Sequence, residues 1–170
     1  MKLDSDDFTL FGLPRRFALD AALLGNRWRE LQTQVHPDRF ASEGSASQRL
    51  AMQWAVRVNE GYRRLKDPLS RATYLCELAG QSLGDAQAVG HDVLTRQMQW
   101  HEELAEAPSA DAVKTLEAEV AARLAQIEEG VRADLDERHE PEAALPKLRE
   151  WMFLRRLLAE IERRLEVMET

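Results

Sequence analysis

The stretch Leu31-Gln32-Thr33-Gln34-Val35-His36-Pro37-Asp38-Arg39-Phe40 decides how this chain folds. Proline has no backbone N–H, and its ring pushes the preceding residue out of the helical region. Leu24, Trp28, Leu31 and Val35 step by four, three and four, which lines one face of a helix. That helix must therefore end near His36. Asp20 is suited to cap its start, because a carboxylate accepts hydrogen bonds from the free N–H groups of the first turn. Arg27, Arg29 and Glu30 fall toward solvent. Past the corner, Ala41 to Ser47 is small, polar and glycine-containing, and reads as a flexible loop. A second helical pattern resumes at about Ser47 and runs through Leu50, Trp54, Val58, Gly61 and Leu65. Helix, corner and returning helix make an antiparallel hairpin with an imidazole and a carboxylate at its tip.

Working outward, a short helix is expected around Asp4 to Leu10, with Phe8, Phe11 and Leu13 as core anchors and Pro14 closing the turn. Pro68 suits the first turn of a further helix, whose Tyr74, Leu75 and Leu78 form an apolar side and which Gly80 ends. The segment from Gly80 to Gly90 reads as a linker. Beyond it come three helical patterns: about Asp92 to Ala107, then one capped by Ser109, then one after Pro141. The second steps through Val113, Leu116, Val120, Leu124, Ile127, Val131 and Leu135. The third steps through Leu148, Trp151, Leu154, Leu158, Ile161, Leu165 and Met168. Three such stripes can bury one another in a small bundle. An intermolecular coiled coil is the alternative, but a short connection from His139 to Pro146 favours helices folding back within one chain. The expected architecture is all-α: a hairpin domain over residues 1–76, a connecting segment over 77–90 and a three-helix domain over 91–170.

Composition limits the function classes. The 170 residues are 44% hydrophobic and 31% charged, with no apolar run long enough to span a bilayer. Asp4, Asp6 and Asp7 give the N-terminus neither the basic character of a transit peptide nor the apolar core of a secretory signal. A cytoplasmic location is the default expectation, with no membrane partner. One cysteine, Cys76, excludes an intramolecular disulfide and a multi-cysteine metal site. The net charge of −7 is uneven: residues 1–75 hold 12 Lys/Arg against 9 Asp/Glu, whereas the remainder holds 11 against 21. The first part is thus +3 and the second −10. This distribution argues against nucleic acid, which wants a broad basic surface, and suits a basic head docking on an acidic protein.

Few side chains suggest chemistry of their own. An acid–base pair of His36 and Asp38 would need a concave, partly desolvated pocket, which a hairpin tip does not offer. A metal on the same two residues lacks a third ligand at recognisable spacing. His91, His101 and His139 share no ligand spacing, Trp28, Trp54, Trp100 and Trp151 fit core stripes, and Cys76 reads as a buried thiol. No metal and no cofactor are expected. The helix after the linker is more informative. At roughly 100° per residue, Val93, Gln97, Trp100 and Leu104 fall within about 60° of one another and should face the bundle. Leu94 and Met98 fall roughly 100–140° from Val93, and Glu102 and Glu106 continue that second strip. Apolar residues displaced from the core face and leading into acidic ones suit a protein partner, although a wide bundle face would show the same pattern. Phe153 lies off its helix's core stripe beside Arg149 and Arg156, where an aromatic can anchor a partner.

The hairpin resembles a J domain, the module that stimulates ATP hydrolysis by DnaK-type chaperones. Phe8-Thr9-Leu10-Phe11-Gly12-Leu13-Pro14, His36-Pro37-Asp38-Arg39-Phe40, Val58 to Leu65 and Asp67 to Leu75 are similar to the HscB-type co-chaperones of iron–sulfur cluster assembly. With the C-terminal region, the resemblance spans nearly the whole chain. It implies that the protein is not an enzyme but activates one. His36 and Asp38 would contact a HscA/DnaK-type ATPase, with Pro37 fixing the turn and Arg27 and Arg29 the best candidates for a basic docking face. Gln32, Thr33 and Gln34 stand where J domains in general are rich in Lys/Arg, which fits a dedicated partner. The resemblance further implies that Leu94, Thr95, Met98, Gln99, Glu102, Glu106 and Phe153 bind an IscU-type scaffold. Thr95 and Gln99 occupy positions where the family is respectively more apolar and more acidic. A J-domain protein for another client and a structural helical adaptor are the alternatives.

Overall fold

The computed structural model describes residues 2–85 and 89–170. The described residues form seven α-helices: α1 (Asp7–Leu10), α2 (Ala21–Val35), α3 (Ser45–Lys66), α4 (Pro68–Leu78), α5 (His91–Glu106), α6 (Ala110–Arg132) and α7 (Pro141–Glu169). Among the described residues there is no strand, and no helix is long and apolar enough to cross a membrane. The all-α architecture expected from the sequence is the one observed. The chain divides into two compact units, Met1–Leu75 and Cys76–Thr170, with the division falling inside α4.

In the first unit α2 and α3 pack as a hairpin closed by α1. The Asp20 carboxylate accepts from the N–H groups of Ala22 and Leu23 at 3.0 and 3.1 Å, capping α2. Phe8, Phe11, Leu24, Val58 and Leu65 are at most 1% exposed and form the centre of the core. Asp7 is fully buried, yet its carboxylate meets Nη1 of Arg57 at 2.7 Å and Nη1 of Arg64 at 3.2 Å, both from α3. Its own N–H donates to the Tyr74 hydroxyl at 2.9 Å. Gly61 lets this cluster form: a Cβ there would stand 3.2 Å from both Phe11 Cε2 and Asp7 Oδ1. The loop expected over residues 41–47 is shorter, because α3 already starts at Ser45. Gly44, at φ +93°, makes the sharp entry, and the Gln48 side-chain amide closes the corner by donating to the Ala41 carbonyl at 2.9 Å. The α3 stripe is also rotated slightly: Ala51 is buried and Leu50 is 50% exposed. Trp28 and Trp54 are half-buried rather than core. Trp28 donates its indole N–H to Asn59 at 3.0 Å and stacks on Tyr62 at 4.6 Å.

In the second unit α5, α6 and α7 form the bundle. Ser109 caps α6 by accepting from the Ala112 N–H at 3.2 Å. Val113, Val120, Val131, Leu148, Trp151, Leu154, Leu157 and Ile161 supply the core. Leu157 is 1% exposed, whereas Leu158, placed in the stripe from sequence, is half-buried. Two local features depart from simple periodicity. α6 ends in a π-helical turn over Ala133–Glu137, which carries Asp134 into the interior against Arg138 and Lys147. The connection expected to reach Pro146 stops at Glu140, so Pro146 lies inside α7. Buried Leu145 and Leu148 hold the helix there despite the missing N–H. The expected connecting segment 77–90 includes residues 86–88, which lie outside the described residues. Its earlier part clusters with the bundle, because Arg149 donates to the Leu83 carbonyl at 3.2 and 2.7 Å from Nε and Nη2.

Candidate functional site

The first candidate site is the corner between α2 and α3. His36 takes φ −58° and ψ 129°, the extended geometry that the following proline demands, and this stops α2 at Val35. Pro37–Phe40 then form a single 3₁₀ turn. The Asp38 N–H donates to Nδ1 of His36 at 3.3 Å, and Asp38 Oδ2 lies 3.6 Å from the same nitrogen. In the neutral ring an accepting Nδ1 leaves the proton on Nε2, free to donate outward. The side chains of His36 and Asp38 are 57% and 93% exposed. Proline, turn amide and imidazole thus present one donor and one carboxylate together, with no enclosing walls. Such a tip can hold another protein but cannot shelter a reaction from water. Arg27 and Arg29 are exposed on α2, and Arg29 Nη1 donates to Asn26 Oδ1 at 2.9 Å.

The second candidate site lies on the bundle. On α5, Trp100 and Leu104 are 7% and 9% exposed, and Val93 and Gln97 are half-buried beside them. Leu94 and Met98 are 44% and 72% exposed, and Thr95, Gln99, Glu102 and Glu106 are also exposed. Two apolar side chains therefore stand in water on a helix that already has a packed face. Solvating apolar area costs about 25 cal/mol per Å², so such a strip gains by being covered. Phe153, on α7, is half-buried. Its ring meets the imidazole of His101, one turn along α5 from Met98, with centroids 5.4 Å apart. The structure therefore brings Phe153 to α5 through His101, a residue that ligand spacing passes over. The signal was the position of His101 on the helix, at the border of the core stripe.

Among the described residues no three or more His, Cys, Asp and Glu side chains gather as metal ligands. Cys76 is 1% exposed. Burial, followed by the negative charges of Glu77, Asp134 and Glu142, pushes its thiol up to about 11. At neutral pH it is a protonated packing residue, not a nucleophile.

The chain is similar to proteins of one known family. A family model described as the HSCB C-terminal oligomerisation domain matches residues 90–162. A co-chaperone protein HscB homolog of Bordetella petrii is 48% identical, the alignment covering 92% of this chain and 94% of that protein. The solved structure of chaperone HscB from Vibrio cholerae is 34% identical with a TM-score of 0.83, covering 94% of this chain and 96% of that one. Human co-chaperone protein HscB is 29% identical with a TM-score of 0.88, covering 96% and 84%. The chain belongs to the HscB family of co-chaperones, an N-terminal J domain followed by a C-terminal helical bundle.

Proposed function

We propose that this protein binds an IscU-type iron–sulfur scaffold and delivers it to a HscA/DnaK-type ATPase in the cytoplasm, stimulating ATP hydrolysis there. His36 and Asp38 contact the ATPase, Pro37 fixes the turn that presents them, and Arg27 and Arg29 steer the encounter. The +3 charge of residues 1–75 suits an acidic docking surface, where complementarity raises the association rate more than the affinity. Leu94, Met98 and Phe153 supply the apolar contact to the scaffold, bordered by Thr95, Gln99, Glu102 and Glu106. The protein has no reaction of its own to perform and needs no cofactor.

The observation that carries this reading is the pairing of an exposed His-Pro-Asp turn with an exposed Leu94–Met98 strip in one HscB-family chain. Holding the client and the ATPase at once raises the effective concentration of each for the other, so neither contact must be tight. His36→Gln should abolish stimulation of the ATPase and leave scaffold binding intact. Met98→Ala with Phe153→Ala should weaken scaffold binding and spare stimulation measured without scaffold. Steady-state ATPase assays and titration calorimetry read the two arms. Full stimulation by the His36→Gln protein would remove the turn from the mechanism. Unchanged scaffold affinity in the double variant would leave a J-domain co-chaperone for another client.

A further inference from the structure

The imidazole of His101 meets the ring of Phe153 edge to face, with centroids 5.4 Å apart and planes at 73°. Aromatic quadrupoles favour this arrangement. The same imidazole places Nδ1 3.8 Å from Oε2 of Glu160, two turns along α7 from Phe153. At that distance Glu160 is a neighbouring charge rather than a hydrogen-bond partner. One α5 side chain is thus flanked by two α7 residues. Around α5, His101 lies at roughly 80° from Val93, between the core stripe and Leu94 at roughly 100°. Its side chain is 50% exposed, so it does not fill the core, and removing it opens no buried cavity.

We infer that His101 is a positioning residue for the scaffold-docking strip: it holds the Phe153 ring in the orientation the partner's apolar surface meets. The inference rests on the docking reading given above. A half-exposed phenylalanine samples several rotamers, and fixing one on binding costs affinity. An edge-to-face neighbour restricts the ring before the partner arrives. His101 therefore acts through Phe153 and not through a contact of its own.

A double-mutant cycle read by titration calorimetry of the full chain against an IscU-type scaffold protein tests this. His101→Ala should raise Kd about 3- to 10-fold, the range for loss of one aromatic pair. In a Phe153→Ala background the same change should shift Kd by less than about 1.5-fold, because nothing is left to position. His101→Phe, which keeps an aromatic edge against Phe153 and discards the imidazole nitrogens, should restore Kd to within about twofold. Equal losses in both backgrounds would mean that His101 touches the scaffold directly, and would overturn the inference. So would an unaltered Kd for His101→Ala, or failure of His101→Phe to restore binding. The Phe153→Ala protein alone tests the underlying reading: if its Kd matches wild type, the docking strip itself is misplaced and the inference falls with it.

Discussion

Asp7 shows how one residue can organise a small domain. A fully buried carboxylate is costly unless paired, and here Arg57 and Arg64 reach it from α3. Arg57 also donates to the Leu3 and Ser5 carbonyls at 3.1 and 2.6 Å, so the same guanidinium ties down the chain before α1. Asp7→Asn should destabilise the protein by about 3 kcal/mol in urea unfolding, since it leaves two guanidinium groups facing a neutral amide. A loss under about 0.5 kcal/mol would show the pair to be dispensable. Gly61→Ala tests the packing beneath it. The added methyl gains helix propensity of about 1 kcal/mol but must displace Phe11 and Asp7, neither of which can reach solvent. A net loss of about 1 kcal/mol is expected, and a stabilised variant would contradict the tight approach. Asp6 adds a pH dependence. Burial alone would raise its carboxyl, but bonds from the Thr9 hydroxyl, the Thr9 N–H and Arg15 outweigh burial and hold it below the ordinary 3.8. A depressed carboxyl stabilises the fold above its unfolded pKa, and that contribution fades as the pH falls through the folded value. Asp6→Asn should therefore flatten the acid limb of the stability curve.

At the scale of elements, helix ends were the most legible features, because caps are local chemistry. Asp20 and Ser109 cap α2 and α6 as their sequence positions indicate, and Pro37 ends α2 where its geometry requires. Ser109→Ala should cost about 1 kcal/mol in urea unfolding by freeing the Ala112 N–H, and no measurable loss would show the cap to be idle. The two faces of α5 were also readable, since helical period alone separates Trp100 and Leu104 from Leu94 and Met98. What stayed hidden depends on distant partners. Neither the Asp7 pair nor the need for Gly61 can be read without knowing that α1 lies on α3. The π-helical turn at Ala133–Glu137 breaks the period that Leu135 suggests, because buried Asp134 has Arg138 and Lys147 for partners. Pro146 looks like a breaker in one dimension, yet packing of Leu145 and Leu148 overrides it. His101 was passed over for a related reason: its role depends on a ring about fifty residues away in sequence.

At the scale of the molecule, the two candidate surfaces lie on separate compact units of one chain, the His-Pro-Asp turn on the first and the strip on the second. We propose that coupling them in one polypeptide makes ATP hydrolysis depend on client. The most direct measurement is the hydrolysis rate of a HscA/DnaK-type ATPase with the scaffold and this co-chaperone present together and singly. The wild-type pair should stimulate more than the product of their separate effects, because linked contacts raise effective concentration. The Met98→Ala/Phe153→Ala protein should fall to that product, and the His36→Gln protein to the rate with scaffold alone. Full synergy from either variant would contradict the account.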